Sequence, residues 1–378
     1  MRITYVDVGP LTLVPEVALT VAYGSYPVFD YAMVQVHTDV GLVGLGEASP
    51  DPEVTGETQA DVIAGLEAMS EVLVGADPRD LTALLTRAEE VAPGLPAALA
   101  AVDMALYDLA GKDVGLPVYR LLGGPVREGM RLYPVIPLDA PEVMAGMAAR
   151  FAGAGYRELK VKVGGPLPGA RVTPEAWRAS PDIDLDAARI DAIAGAVGPD
   201  VALLLDVNQG WVRADVALQA MAQLSNHTIR WIEQPVDAAD IAGLARVREV
   251  ATVPIMADES CLSPADALAI VGAGAADIVN IKLMKCGGIA RAREILAITR
   301  AAGVPCIVGS MLESSIGSAA GMHLVLSDPN IIACELIGPV FIEGDPAVGY
   351  PVDSATGFAT VSDAPGLGVR LRGGEGGA

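Results

Sequence analysis

The chain has 378 residues and a mass of 38.8 kDa, with 25 Lys and Arg against 47 Asp and Glu, so its formal net charge at pH 7 is −22. Such an acidic chain is poorly suited to bind phosphate backbones, and we expect no nucleic-acid partner. The sequence has no run of 18 apolar residues and no signal-like start, which predicts no membrane partner and a cytoplasmic location. Its length favours two domains, and its four isolated cysteines predict neither a disulfide framework nor a zinc ribbon.

The first 128 residues predict an α+β domain. Strand-like runs at 31–38 (YAMVQVHT) and 41–48 (GLVGLGEA) suggest an antiparallel meander. Apolar residues then recur at helical spacing over 58–74 and again over 95–111. Helices are therefore expected to follow the meander and to pack against it.

Residues 129–340 predict a second domain, built from eight short β-rich runs that are each followed by an Ala-rich helical pattern. The runs lie at 132–138, 158–163, 202–208, 229–235, 254–260, 277–283, 306–311 and 331–336. Eight parallel strands at this repeat predict an α/β fold of the (β/α)8, modified TIM-barrel type. Residues 341–378 are expected to complete the N-terminal domain. The turn-rich connection at 164–181 predicts either a lid or a surface insertion.

Three acidic residues, Asp206, Glu233 and Asp258, end consecutive runs. In a barrel they lie side by side on one arc of the mouth, where active sites of this architecture are found. Carboxylates this close need a cation, and oxygen ligands suit Mg²⁺, or Mn²⁺ in its place, better than zinc. Asn208 and Glu259 are expected beside these ligands, where they can orient them. The competing interpretation of Asn208 is a turn residue or a helix cap.

Three lysines complete the predicted site. Lys160 and Lys162 share one face of the second strand, and Lys282 ends the sixth strand, on the opposite side of an eight-stranded ring. A substrate carboxylate on the metal would hold its α-carbon between amines on the two sides. Removal of the α-proton gives an enediolate, whose charge the cation and Lys160 would stabilise. The competing interpretation is that the lysines only pair with the carboxylates.

Five motifs together resemble the enolase superfamily, in the muconate lactonizing enzyme subgroup of the mandelate racemase/muconate lactonizing enzyme family. They are KVK at 160–162, DVNQGW at 206–211, EQP at 233–235, ADES at 257–260 and NIKLMKCGG at 280–288. GLVGLGE at 41–47 is similar to the N-terminal capping domain of that family. The resemblance implies that Asp206, Glu233 and Asp258 bind Mg²⁺, that Lys162 and Lys282 form an acid/base pair and that Lys160 stabilises charge. It also implies a small-molecule carboxylate substrate and a homo-oligomer.

The motifs narrow the reaction to α-proton chemistry. NIKLMKCGG, with TGET at 55–58, is most similar to dipeptide epimerases, in which two lysines exchange a proton between the faces of the substrate. Those enzymes share an Asp-x-Asp on the last strand, where this chain has Glu335 and Ile337. That departure makes an N-substituted amino acid or a cyclic imino acid at least as attractive a substrate as a dipeptide with a free amine, although Glu335 could still pair with one cationic nitrogen. Racemisation or epimerisation of one of these three substrate classes by a two-lysine mechanism is the leading prediction.

Other reactions remain open at this stage. ELIGP at 335–339 also resembles muconate cycloisomerases, which rank second, and a dehydratase of a hydroxyproline-like acid is a further alternative. A catalytically inactive barrel that binds a metal or a metabolite is the non-enzyme alternative. Substrate specificity is expected from capping-domain loops at 21–26 and 49–57. The candidate substrate-binding residues are Tyr23, Tyr26, Glu313 and Glu335.

Overall fold

A computed structural model describes residues 1–170, 172–354 and 356–373 of the chain. The N-terminal part begins with strands and continues with helices. The strands are β1 Ile3–Pro15, β2 Leu19–Val21, β3 Gly24–Tyr26, β4 Phe29–Thr38 and β5 Val43–Ala48. The helices are α1 Gln59–Leu73, α2 Leu81–Val91, α3 Pro96–Val114 and α4 Val118–Leu121, and a short strand β6 follows at Met130–Arg131. The predicted meander is β4 and β5, which pair antiparallel, and β1 extends it on the other side of β4.

Helix α3 lies directly on strand β5. A Cβ atom added at Gly44 would meet the Ala105 carbonyl at 2.2 Å, and one added at Gly46 would meet the Ala101 carbonyl at 1.9 Å. The glycines of the GLVGLGEA run therefore allow a backbone-to-backbone approach of helix and strand. Most residues of α3 are buried, because the helix packs against β5 on one side and against the barrel on the other.

The second part contains eight parallel strands alternating with helices. Its first half comprises β7 Val135–Ile136, α5 Pro141–Gly153, β8 Glu158–Lys162, α6 Pro174–Ala179, α7 Ile183–Val197, β9 Ala202–Asp206, α8 Ala214–Gln223, β10 Ile229–Glu233 and α9 Ile241–Val250. The second half comprises β11 Ile255–Ala257, α10 Pro264–Ala273, β12 Ile278–Ile281, α11 Leu283–Cys286, α12 Ile289–Ala301, β13 Cys306–Val308, α13 Ser315–Ser327 and β14 Ile331–Cys334. Each of the eight predicted runs contains one of these strands.

The eight strands form one sheet in chain order, from β7 to β14. The sheet curls until its two ends meet, since the hydroxyl of Tyr133, just before β7, donates a hydrogen bond to Glu335, just after β14, at 3.1 Å. The predicted (β/α)8 fold with an additional N-terminal α+β part is confirmed. The carboxyl ends of all eight strands consequently open on one face of the barrel.

After β14 the chain returns to the N-terminal part. It forms a 3₁₀ turn at Gly338–Val340 and the short strands β15 Ile342–Glu343, β16 Ala347–Val348, β17 Phe358–Ala359 and β18 Arg370–Leu371. Strand β15 pairs antiparallel with β1, and the Leu367 N–H donates a hydrogen bond to Asp108 on α3 at 2.8 Å. These contacts support the proposal that 1–128 and 341–378 form one domain and 129–340 the other, although residues 374–378 lie outside the described residues.

Within the described ranges, no helix has both the length and the apolar character needed to cross a membrane. The four cysteines are all buried and unpaired.

Candidate active site

The three predicted metal ligands lie on neighbouring strand ends. Asp206 is the last residue of β9 and Glu233 the last of β10, and the two face each other in register. Asp258 follows the last residue of β11 directly. All three carboxylates are fully buried. The structure therefore places these side chains on one arc of the barrel mouth.

In this structure the carboxylates are contacted by ammonium groups. The Nζ atom of Lys160 lies 2.9 Å from Asp206 Oδ2 and 2.8 Å from Glu233 Oε2. The Nζ atom of Lys282 lies 2.9 Å from Asp258 Oδ2. Within the part of the chain that is described, no group of three or more Asp, Glu, His or Cys side chains is spaced to hold a metal ion directly. A divalent cation would have to compete with Lys160 for Asp206 and Glu233.

Burial raises the pKa values of these carboxylates, whereas the charges of the neighbouring lysines lower them. Burial favours the neutral form of Asp206, but Lys160 and Lys162 outweigh it and lower the pKa of Asp206 to about 2. The pKa of Asp258 is likewise held well below its usual range by its lysine neighbours, against the effect of burial. Burial and the neighbouring Asp206 raise the pKa of Glu233 well above its usual range. Glu233 is thus the carboxylate that most needs a further cation to remain ionised.

The donor set fits a divalent cation. Glu233 Oε2 and Asp258 Oδ2 are buried and accept no well-directed hydrogen bond from the described residues, although lysine ammonium groups lie within ion-pair distance of both. A contact of the right length but the wrong direction leaves the oxygen lone pair available. Lone pairs of rigid, buried carboxylates are the ligands that Mg²⁺ prefers.

The two lysines of the predicted acid/base pair line one cavity of about 400 Å³. Lys162 projects from β8, and its Nζ atom lies 2.6 Å from Asp206 Oδ2 and 3.0 Å from Asn208 Oδ1. Lys282 follows β12, four strands further along the sheet order. Asp258 raises the pKa of Lys282, although burial acts in the opposite direction. Amines from opposite sides of the barrel thus reach the same space.

Lys160 lies deeper than Lys162 and is bound on several sides. Both carboxylate oxygens of Glu335 accept hydrogen bonds from its Nζ atom, at 2.7 and 2.8 Å, in addition to the contacts with Asp206 and Glu233. These acids raise the pKa of Lys160 well above its usual range, although burial acts against them. Glu335, which the sequence marked as a substrate-binding candidate, is therefore engaged by Lys160 and by Tyr133.

Asn208 and Glu259 form a hydrogen-bonded chain that begins at Lys162. Asn208 accepts a hydrogen bond from Lys162 and donates one to Glu259 Oε1 at 3.0 Å. Its backbone is left-handed, with φ of 44°, a conformation that asparagine adopts more easily than most residues. Burial, and next the charge of Asp258, raise the pKa of Glu259 to about 7. Asn208 and Asp206 thus both contact the Lys162 amine.

The candidate substrate-binding tyrosines belong to the N-terminal part and cover the barrel mouth. Tyr23, just before β3, and Tyr26, the last residue of β3, line the same cavity as the two lysines. The described residues that line this cavity do not include Glu313 or Glu335. Glu313 is buried, and it accepts hydrogen bonds from the Ser49 hydroxyl at 3.2 Å and from the backbone at Met311 at 2.9 Å. In this structure Glu313 supports the loops around the cavity.

Two buried residues of the site had no counterpart in the sequence analysis. Lys285, on α11, donates to Asp258 Oδ1 at 2.5 Å and to the carbonyls of Asp258 and Asn280. Asn280, on β12, donates to Glu233 Oε1 at 2.7 Å. Both lie in the NIKLMKCGG motif at 280–288. Asn280 is its first residue and Lys285 its second lysine, so the motif contained the information from which both could have been predicted as site residues. They fix Asp258 and Glu233 from outside the cavity.

The connection at 164–181 packs on the outside of the site. Its first residues are held by α7, because Arg189 donates to the carbonyls of Gly165 and Pro166. Trp177, on α6, is buried and donates to the Gly210 carbonyl at 3.2 Å. None of the described residues of this connection lines the cavity.

Comparison with known proteins agrees with this fold. Residues 8–123 match the N-terminal domain of mandelate racemase/muconate lactonizing enzymes, and residues 143–375 match the enolase C-terminal domain-like family. The N-succinyl-L-Arg/Lys racemase of Bacillus cereus is 35% identical, with 98% of this chain and 96% of that protein covered, and its crystal structure superposes with a TM-score of 0.91.

Two further relatives show the breadth of the group. The hydrophobic dipeptide epimerase of Enterococcus faecalis is 36% identical over 98% of this chain and 99% of that protein, and a structure of a dipeptide epimerase from that organism with Mg and L-Leu-L-Tyr has a TM-score of 0.90. Muconate cycloisomerase 1 of Rhodococcus opacus is 32% identical over 90% of this chain and 88% of that protein. Fold, site and relatives define an enzyme of the isomerase class in the enolase superfamily. The chain belongs to the mandelate racemase/muconate lactonizing enzyme family.

Proposed function

We propose that this enzyme moves a proton between the two faces of the α-carbon of an N-acylated amino acid, and so racemises or epimerises it. The observation that carries the proposal is the pair Lys162 and Lys282, which approach one cavity from opposite strands. One amine can remove a proton from one face while the other supplies a proton to the second face. The racemase and epimerase relatives support this choice.

Asp206, Glu233 and Asp258 are the residues that would hold Mg²⁺, or Mn²⁺ in its place. Once bound, the metal supplies positive charge for the substrate carboxylate, whose negative charge grows when the α-proton leaves. Structures of related dipeptide epimerases with Mg support this assignment. Lys160, fixed by Glu335, adds a second positive charge beside that carboxylate.

The contact between Lys282 and Asp258 suggests the protonation state of Lys282 before the reaction. Because Asp258 raises the pKa of Lys282, we expect Lys282 to rest as an ammonium ion, which is the form that donates a proton. Lys162 then removes the α-proton from the opposite face, and Asn208 directs its amine. In the reverse direction the roles exchange, which requires the contact between Lys282 and Asp258 to weaken.

The environment of Glu335 supports a substrate whose nitrogen carries no charge. An acid that is bound through both oxygens to Lys160, and that also accepts from Tyr133, has little capacity left for a substrate ammonium group. An acylated nitrogen needs no such partner. We therefore propose N-acyl amino acids, rather than dipeptides with a free amino group, as the preferred substrates.

Cycloisomerisation of an unsaturated diacid is the second candidate. It is supported by the muconate cycloisomerase relative and by the ELIGP segment at 335–339. Such a reaction needs only one lysine to handle a proton. Elimination from a hydroxyproline-like acid would instead leave a new double bond.

Proton NMR in D₂O separates these reactions. The enzyme with Mg²⁺ is incubated with N-acyl amino acids, dipeptides, hydroxyprolines and cis,cis-muconate. Loss of the α-proton signal without a new product is the expected result for an N-acyl amino acid, with optical rotation falling in parallel. A lactone or alkene signal, with α-protons of the N-acyl compounds retained, would contradict the proposal and favour the alternatives.

A further inference from the structure

We propose that the active-site cavity selects a substrate with a positively charged side chain, an ammonium or guanidinium group, and that Asp51 binds this group against the rings of Tyr23 and Tyr26. The inference rests on the proposed function, since the same cavity must place the α-carbon between Lys162 and Lys282. Its basis is a buried carboxylate and a row of aromatic rings that the proton-transfer chemistry does not use.

Asp51 is held rigidly at the start of the 49–57 loop. Its backbone carbonyl accepts hydrogen bonds from three N–H groups, of Val54, Thr55 and Gly56. The two directed hydrogen bonds to its side chain both end on Oδ1, one from the Glu53 N–H at 2.8 Å and one from the Tyr26 hydroxyl at 3.4 Å. The position of the carboxylate is therefore fixed by the loop backbone.

Asp51 also lacks a cation of its own. It is 4% exposed and lines the cavity, yet it takes part in none of the ion pairs formed by the described residues. The described basic residues that line the cavity are Lys162 and Lys282, and each is already paired, with Asp206 and Asp258 respectively. A buried carboxylate that accepts hydrogen bonds but forms no ion pair is costly, so a cationic group of the substrate would be stabilised beside Asp51.

The wall beside Asp51 suits a cation as well. Tyr23 and Tyr26 meet edge to face with ring centroids 6.4 Å apart, and Tyr26 stacks on Phe29, which stacks on Tyr31, at 6.3 and 5.7 Å. All four rings line the cavity. Aromatic faces attract ammonium and guanidinium groups, and tyrosine does so while remaining apolar toward the alkyl stem of a lysine or arginine side chain.

Other side-chain classes fit less well. An acidic side chain would approach Asp51, and the described lining residues offer it no arginine. A purely apolar side chain would fill the aromatic part but would cover Asp51 without giving it a partner. Glu57, the other buried acid of this lining, is already used, because it accepts the N–H groups of Ala97 and Ala98 at the start of α3.

The test compares N-acetyl-L-lysine with N-acetyl-L-norleucine, which has a similar alkyl stem and no charge. For the Mg²⁺-loaded enzyme we expect kcat/KM for α-proton exchange to be at least about 10-fold higher with the lysine compound. Asp51→Asn keeps an acceptor for the loop N–H, and should lower the lysine value about 10- to 100-fold while leaving the norleucine value within about 3-fold. Asp200→Asn, at an exposed surface position, is the matched control.

Equal use of both compounds, or an equal loss of both in Asp51→Asn, would overturn the proposal. Calorimetric binding of the two compounds separates this failure from failure of the proposed function. Absence of exchange together with Asp51-dependent binding of N-acetyl-L-lysine would reject the reaction and retain the subsite. Absence of exchange together with equal or undetectable binding of the two compounds would reject both.

Discussion

Lys162 and Lys282 approach the cavity from opposite strands, so each should serve one face of the substrate. We predict that Lys162→Ala and Lys282→Ala each lower racemisation at least about 10³-fold, because general acid–base catalysis by each amine is lost. Each variant should still exchange the α-proton of one enantiomer, and the two variants should favour opposite enantiomers. Deuterium incorporation into the separate enantiomers, followed by NMR, measures this.

A loss of turnover in only one of the two lysine variants would contradict a two-base reaction and would favour cycloisomerisation. Arg246→Ala is a suitable control, because Arg246 is an exposed cationic residue of α9 and does not line the cavity.

His323, on α13, is a buried titratable group outside the cavity. Its Nδ1 atom accepts a hydrogen bond from the Tyr119 N–H at 3.1 Å, and burial lowers the pKa of His323 to about 4. The unfolded chain binds this proton near the ordinary histidine pKa of about 6.5. Since the unfolded state binds the proton more tightly, the contribution of His323 to stability is complete above that pH and is lost as the pH falls toward 4.

His323→Asn should remove this pH dependence while keeping an acceptor near the Nδ1 position. Between pH 8 and pH 5 we expect the free energy of unfolding of the wild type to fall by about 2 kcal/mol more than that of the variant. Urea titrations at several pH values measure the difference. Parallel pH profiles for the two proteins would show that His323 is protonated equally easily in both states.

At the scale of elements, helix α7 joins the loops that follow β8 and β9. Asp186 is fully buried and accepts hydrogen bonds from the Gly164 N–H and the Trp211 indole, while Arg189 pairs with it at 2.9 Å. The two loops touch, since a Cβ atom at Gly210 would lie 2.0 Å from the Gly164 carbonyl. Lys162 and Asn208 project from the strand and loop that this network supports.

Asp186→Ala should therefore affect both stability and catalysis. Removing one partner of a buried ion pair leaves Arg189 uncompensated, and we expect the free energy of unfolding to fall by about 3–5 kcal/mol. The surviving folded enzyme should lose kcat more than KM, because the direction of the Lys162 amine becomes less defined. Asp184→Ala, at an exposed position of the same helix, should change either quantity little. Equal losses in both variants would contradict this role.

The sequence predicts the barrel and its charged strand ends well, because both depend on local signals. An apolar run followed by a polar residue predicts where a parallel strand ends, as at Asp206 and Glu233. The pairing of Glu335 with Lys160 was not readable, since it joins residues far apart in the chain across the closed sheet. The position of Asp51 could likewise not be predicted, because it depends on the backbone hydrogen bonds within the 49–57 loop.

At the scale of the whole molecule, Asp103 connects the N-terminal part to the barrel. This residue of α3 is buried, and it accepts the N–H groups of Ile289 at 2.6 Å and Ala290 at 3.1 Å, at the start of α12. Burial raises the pKa of Asp103 to about 7, although these hydrogen bonds act against it. The side chain thus caps a barrel helix from outside the barrel.

Asp103→Ala should lower the free energy of unfolding by about 1–3 kcal/mol, because two buried N–H groups lose their acceptor. Asp113→Ala, at the exposed end of the same helix, should cost less than about 0.5 kcal/mol. Thermal and urea unfolding of the two variants at pH 8 provide the measurement. A smaller loss in Asp103→Ala than in Asp113→Ala would contradict the proposed connection.

The homo-oligomer and the cytoplasmic location stay predictions.

The division of the cavity between the two parts of the chain has an evolutionary consequence. Tyr23, Tyr26 and Asp51 come from the N-terminal part, whereas Lys162 and Lys282 come from the barrel. Under the roles proposed above, mutations in the N-terminal part can change the substrate while the two lysines of the barrel stay in place. Libraries that vary only the loops at 21–26 and 49–57 should yield active enzymes with altered preferences far more often than libraries aimed at strand ends.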